Sequence, residues 1–240
     1  VGTNRGLDRY DNRTDAFVHY DFPNGFRPRV ACITQLADGD LFVSTSGFGA
    51  YIIGDNDVLT TTIDYTPEVD EPFYDEVYED SKGRFWRSSL IANAVILKAN
   101  KGFAKFESTV AGPIAFIERG DEVFVIGIKG IMVFRNGQMQ DADIDTSVLK
   151  GKDVLFNTAT TDSEGNIYIG TRGNGLFRIP LGERRLERVS VNVLGVNLNT
   201  ATLTDIMFDQ KGDMWLGLER KGLMLVTQQP SLFTSWSFER

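Results

Sequence analysis

One turn-and-strand pattern returns along this chain at nearly constant intervals, and that periodicity restricts the fold more than any other feature. "DSEGNIYIGTRGNGLFRI" (Asp162 to Ile179) contains Asp-x-x-Gly, an aromatic three residues after that glycine, a second glycine two residues later and Gly-Leu ten residues after the first. "DQKGDMWLGLERKGLMLV" (Asp209 to Val226) repeats every one of these offsets. "DSKGRFWRSSLIANAVIL" (Asp80 to Leu97) keeps the Asp-x-x-Gly and Trp86 but has Asn93 where Gly-Leu is due. "ADGDLFVSTSGFGAYII" (Ala37 to Ile53) keeps Gly39, Phe42 and Gly49, and "ERGDEVFVIGIKGIMVF" (Glu118 to Phe134) is a looser copy with a shorter turn. The chain opens on "VGTNRGLDRYD", the second half of one more unit. The closing positions Gly6, Gly49, Asn93, Gly130, Gly175 and Gly222 are therefore spaced by 43, 44, 37, 45 and 47 residues.

A period of about 40 to 50 residues with several short strands in each unit is the pattern of propeller blades. Within the copy around Gly165 the expected strands are "VLFNTAT", "NIYIGT", "GLFRI" and "LERVSV", each alternating apolar and polar residues between Gly, Asn and Asp turns. We label them A to D, from the inside of the blade outwards. No segment carries a sustained helical period, so the expectation is an all-β propeller segment of four-stranded antiparallel blades. The count is five full blades plus three strands of a sixth, occupying 1–240 as one domain. A start inside strand B leaves its inner neighbour unpaired, which reads as a segment cut from a longer chain. The 24 glycines against 7 prolines suit a fold of many hairpins.

The residues that commonly carry chemistry are scarce. Cys32 is the only cysteine and His19 the only histidine, so neither a disulfide, a zinc site nor a Ser-His-Asp triad has its components. No catalytic residue, metal or cofactor is expected. Cys32 reads as a small buried hydrophobe, and His19 as a surface residue of an outer strand. A net charge of −8 argues against nucleic acid as a partner. The recurrent aromatics Phe42, Trp86, Tyr168 and Trp215 are read as packing between neighbouring sheets, and the motif glycines as scaffold.

The combination of Asp-x-x-Gly, aromatic, Gly-Thr and Gly-Leu-x-Arg-Tyr, with "VGTNRGLDRYD" and "DSEGNIYIGTRGNGLFRI" as its best copies, resembles the two-component regulator propeller repeat. Such repeats build the periplasmic sensor domains of hybrid two-component systems in Bacteroidetes. The resemblance implies propellers that usually come in sevens, often two in tandem, ahead of a β-sandwich, a membrane helix and a cytoplasmic histidine kinase. It also implies a periplasmic location, a membrane-anchored parent chain, an oligosaccharide ligand and no catalysis in these residues, and it is compatible with a homodimer. Two other readings stay open. Lactonase and lyase propellers use a ring of polar groups on the inner strands, for which Asp75, Glu76, Asn157 and Asp205 are available, and a protein-docking propeller needs no site of that kind.

Within each blade the scaffold fixes the strands and glycines but leaves the B-to-C turns free to vary. Those turns read "TNRG", "TSGFG", "SLIAN", "GIKG", "TRGNG" and "LERKG". Four of the six carry bases: Arg5, Lys129, Arg172, and Arg220 with Lys221. Gathered on one face around the central channel, they would attract a carboxylated or sulfated ligand. Arg87 is a further candidate: it stands where better copies have Ile169 or Leu216, and is expected to face a groove, to pair with Glu79 or Asp80, or to snorkel from a sheet edge. The crossover from Asp64 to Asp80 carries eight acids and no base, which reads as a solvated loop or a counterpart to the basic turns.

Overall fold

The structure, a computed structural model, describes residues 1–23, 25–46, 48–61, 76–89, 94–99, 102–190, 192–193 and 196–227. The chain divides into two compact units, Val1–Glu118 and Arg119–Arg240. Both are built almost wholly of short antiparallel strands. Two single-turn 3-10 helices, Ser147–Leu149 and Leu198–Thr200, are the helical elements among the described residues.

The first unit begins with a three-stranded sheet, β1 (Gly2–Thr3), β2 (Gly6–Asp11) and β3 (Ala16–His19). Two four-stranded sheets follow. One holds β4 (Val30–Gln35), β5 (Leu41–Thr45), β6 (Ala50–Ile53) and β7 (Leu59–Thr61), and the next holds β8 (Glu76–Glu79), β9 (Phe85–Ser89), β10 (Ala94–Ala99) and β11 (Gly102–Glu107). β12 (Pro113–Arg119) contains the point of division and heads a sheet completed by β13 (Glu122–Gly127), β14 (Gly130–Arg135) and β15 (Gln138–Asp141). The second unit continues with β16 (Phe156–Thr161), β17 (Ile167–Thr171), β18 (Leu176–Ile179) and β19 (Glu187–Val189), then a small hairpin of β20 (Asn192–Val193) and β21 (Val196–Asn197). It ends in β22 (Leu203–Phe208), β23 (Met214–Leu218) and β24 (Gly222–Val226).

Within each sheet the strands pair in chain order, as the sequence period predicts. The last sheet has three strands among the described residues, and its expected fourth strand, after Gln228, lies outside them. The β20–β21 hairpin was not legible in advance, because two-residue strands carry no periodicity.

Apolar side chains from neighbouring sheets form the core. Leu7, Phe22, Val30, Val43, Tyr51, Ile53 and Leu59 cluster between the first two sheets. In the second unit Leu176 packs with Leu198, Leu203, Ile206, Met214, Leu216, Leu218 and Met224. Full burial of such side chains contributes about 1.5–3 kcal/mol each. The recurrent aromatic takes part as predicted: Trp86 is fully buried with its ring 6.1 Å from that of Phe116, and Tyr168 lies 4.9 Å from Phe208.

The Asp-x-x-Gly signature has one physical role in all three of its copies. Asp162 Oδ1 accepts from the backbone N–H of Glu164 and of Asn166, and the N–H of Gly165 returns to the Asp162 carbonyl. Asp80 repeats this with Lys82, Arg84 and Gly83, and Asp209 with Lys211, Asp213 and Gly212. The second carboxylate oxygen takes the indole N–H of Trp86 at 2.7 Å or of Trp215 at 3.1 Å, which ties the turn to the strand it opens. Burial would raise the Asp80 carboxyl, but the bonds from Trp86 and Arg84 outweigh it and hold the group below its ordinary value.

A bulge recurs at the start of three inner strands, between Val30 and Cys32, between Phe156 and Thr158, and between Leu203 and Asp205. The residues it displaces are Ala31, Asn157 and Thr204. A bulge re-aims its extra side chain, and next to it the second glycine of the motif has close neighbours. A Cβ on Gly170 would stand 2.8 Å from Thr158 Cγ2 and from Leu203 Cβ, and one on Gly217 would stand 2.7 Å from Thr204 Oγ1. The second glycine of the motif therefore provides clearance.

Candidate functional site at the turn tips

The B-to-C turns are held by a device of their own. Thr3, Thr45 and Thr171 end a strand B, and each donates its hydroxyl to the carbonyl of the closing glycine, Gly6 at 2.9 Å, Gly49 at 2.7 Å and Gly175 at 2.7 Å. Threonine favours the strand and its hydroxyl satisfies the turn. Between the ends clasped in this way, Arg5, Phe48 and Arg172 are exposed.

In the second unit, backbone bonds stitch the turns of successive sheets together. Phe156 N–H donates to Ile128 in the β13–β14 turn, and Arg172 N–H donates to Leu155 just before β16. Gly175 N–H then reaches Ala201, and Glu219 N–H reaches Thr202, both just before β22. This strap places the tips carrying Lys129, Arg172, Arg220 and Lys221 at one end of the second unit, and all four are exposed. Lys129 lies 3.7 Å from Asp153. Arg172 Nε donates to Asn157 Oδ1 at 2.8 Å, and the Asn157 amide donates to the Leu203 carbonyl at 2.8 Å. Arg220 adopts φ +60°, a conformation that L-residues rarely take outside turns.

Arg5 stands at the B-to-C turn of the first sheet of the other unit, with its N–H on Thr3 Oγ1. Two residues that sequence reasoning passed over lie at that end: Phe26, on the approach to β4, and Phe48, in the β5–β6 turn. Their rings are 5.5 Å apart and tilted by 34°, and both are about half exposed. Phe48 is visible in "TSGFG", where an aromatic replaces the polar residue that other turns place before the closing glycine. Arg87 does not join the exposed bases. It is only 5% exposed on β9, which is flanked by β8 and β10, so it does not snorkel from a sheet edge. Of the two acids considered for it, Asp80 caps its own turn and Glu79 accepts from the Ala37 N–H at 2.9 Å.

The inner-strand polar residues considered for catalysis are dispersed among other tasks. Asn157 bridges Arg172 and Leu203, and Asp205 Oδ1 accepts from the N–H of Ile206. Burial first, and then the charge of Glu76, raise the Cys32 thiol, which makes it a weak nucleophile. Asp75, and the acidic crossover up to it, lie outside the described residues. Among the described residues no group of three His, Cys, Asp or Glu could hold a metal ion, and no helix is long and apolar enough to cross a membrane. His19 sits on β3 against Asp8, exposed.

Neither family models nor characterised proteins match the sequence. Solved structures do match by shape, and they establish the fold as a β-propeller. The extracellular domain of a hybrid two-component system from B. thetaiotaomicron superposes with a TM-score of 0.70 over 95% of this chain and 31% of its own, at 16% identity. Virginiamycin B lyase from Staphylococcus aureus gives 0.66 over 90% of this chain and 72% of its own, at 17% identity. PorZ, a surface component of the type-IX secretion system of Porphyromonas gingivalis, gives 0.62 over 87% and 34%, at 15% identity. The chain thus spans about a third of the two-component extracellular domain whose fold it shares.

Proposed function

We propose that the chain is the ligand-sensing propeller of an extracytoplasmic two-component regulator, that its ligand is an oligosaccharide, and that it binds this ligand without transforming it. One observation carries the reading. The recurring Asp, Gly and Thr residues are consumed by the scaffold, whereas the variable turn tips between them carry exposed bases. The sensor-domain fold shared over 95% of the chain supports it. On this reading the chain lies in the periplasm, its parent is membrane-anchored, and occupancy of the tips is passed on to a kinase.

The enzymatic alternative draws on the lyase likeness. That lyase is inactivated when one histidine is replaced by alanine, whereas the one histidine of this chain lies exposed on β3 against Asp8. The inner-strand groups Asn157 and Asp205 already hold backbone or side-chain partners. Calorimetric titration with a panel of neutral and acidic oligosaccharides, followed by chromatography of the ligand after long incubation, tests the proposal. It expects saturable binding, weakened by salt, and a ligand recovered intact. Product in excess of the protein, abolished by Asp205→Asn, would establish the enzyme instead.

A further inference from the structure

The residue just before the closing glycine is Arg5, Lys129, Asn174 and Lys221 in four of the described turns. These are side chains that water solvates well. In the β5–β6 turn the same place is taken by Phe48, which is 50% exposed and rests against Phe26, itself 56% exposed. Two aromatic rings that touch each other outside the core leave apolar faces in water, at an energetic disadvantage unless something covers them.

The segments that carry this pair, and the neighbouring turn, also carry arginines. Arg29 lies three residues after Phe26, its carbonyl accepts from the N–H of Ser46 at 2.9 Å, and its guanidinium approaches Ser46 Oγ at 3.4 Å, two residues before Phe48. The stem of Arg27 runs past the Arg5 turn, its Cβ 3.8 Å from where a Cβ on Gly6 would stand. All three guanidinium-bearing residues are exposed, and among the described residues none has a carboxylate partner. This end of the first unit therefore offers a tilted pair of apolar ring faces and, on the segments that carry them and on the Arg5 turn, three planar, permanently charged forks. A pyranose ring presents C–H groups that lie flat on an aromatic face, and a carboxylate at its edge is the group a guanidinium binds in bidentate fashion.

We infer that Phe26 and Phe48, with Arg5, Arg27 and Arg29, form a binding site for an oligosaccharide that carries uronic-acid carboxylates. This rests on the saccharide-sensing reading above and assigns the ligand to the first unit, apart from Arg172 and Arg220. Titrations with an oligogalacturonate, and with a neutral maltooligosaccharide of equal length, test it. The oligogalacturonate should bind at least tenfold more tightly than the neutral sugar. The pair Phe26→Ala and Phe48→Ala should weaken it tenfold or more without lowering the melting temperature, Phe48→Trp should retain it, and Arg5→Ala with Arg29→Ala should weaken it and flatten its salt dependence. Unchanged affinity in the double-phenylalanine variant, or loss only on changing Arg172 and Arg220 to Ala, would overturn this site and leave saccharide sensing intact. Equal affinity for the neutral sugar would overturn the acidic ligand. Tighter binding of a single-stranded oligonucleotide than of the uronate would overturn the saccharide assignment. Failure of every saccharide in the panel would instead remove the functional reading on which the site rests.

Discussion

Gly175 and Gly222 occupy the same place in two copies of the repeat, with nearly the same backbone, φ +82° and +80°. Their surroundings differ. A Cβ on Gly175 would stand 2.2 Å from the Leu198 carbonyl oxygen, whereas nothing lies within 4 Å of one on Gly222. Gly222→Ala should therefore cost only the left-handed backbone, about 1–2 kcal/mol. Gly175→Ala must also displace a neighbouring main chain, and thermal melts should show at least twice the loss. Asp80 makes a second test. Its carboxyl is held below the ordinary value, so its contribution is fully present above the unfolded value of about 4 and is lost as pH falls through the lower folded value. Asp80→Asn should cost about 2 kcal/mol at neutral pH, and the gap from the unaltered chain should close as acidification carries the pH down through the lowered folded value. An undiminished gap in acid would show that charge is not what Asp80 contributes. The Asp-x-x-Gly turn was plain in the sequence because its bonds are local, joining residues no more than six apart.

At the level of the strands, the up-and-down order of the sheets was legible because alternation and turn residues repeat together. The links between sheets were not. Glu118 on β12 accepts from Ser81 N–H at 2.8 Å, Ser81 Oγ at 2.6 Å and the Tyr78 hydroxyl at 3.4 Å, while Glu79 on β8 does the same service for Ala37. Each is a carboxylate at the end of a strand A that reaches back to the preceding A-to-B turn. Partners some forty residues apart leave no local spacing to read. Burial first, and then the charges of Glu118 and Asp80, push the Tyr78 phenol up to about 12. Glu118→Gln removes one of those charges, so ultraviolet titration should show the Tyr78 midpoint moving down, while an unmoved midpoint would mean the pair is not in contact in solution. The recurring bulge that displaces Asn157 was equally hidden, since one extra residue in strand A changes no composition. The bases at the turn tips were legible as exposed charge. The Phe26–Phe48 pair was not, because Phe26 before β4 and Phe48 in the β5–β6 turn come together only once the sheet has folded.

For the molecule as a whole, packing of one repeat on the next decides which equivalent residues matter. Leu176 and Leu223 each follow the closing glycine in successive sheets of the second unit, yet Leu176 is 0% exposed and Leu223 is 67% exposed. Leu176→Lys would bury a charge without a partner and should cost several kcal/mol, whereas Leu223→Lys should shift stability by no more than about 0.5 kcal/mol. Comparable losses from the two would contradict the packing described here. On the proposed reading labour is divided: the recurring turns hold the blades and the variable tips meet the ligand. Hydrogen–deuterium exchange with and without an acidic oligosaccharide tests that division most directly. Exchange should slow on ligand addition at the tips around Arg5, Phe48 or Arg172, and stay unchanged in the turns that follow Asp80, Asp162 and Asp209. Protection confined to those aspartate turns, with the tips unaltered, would contradict that division.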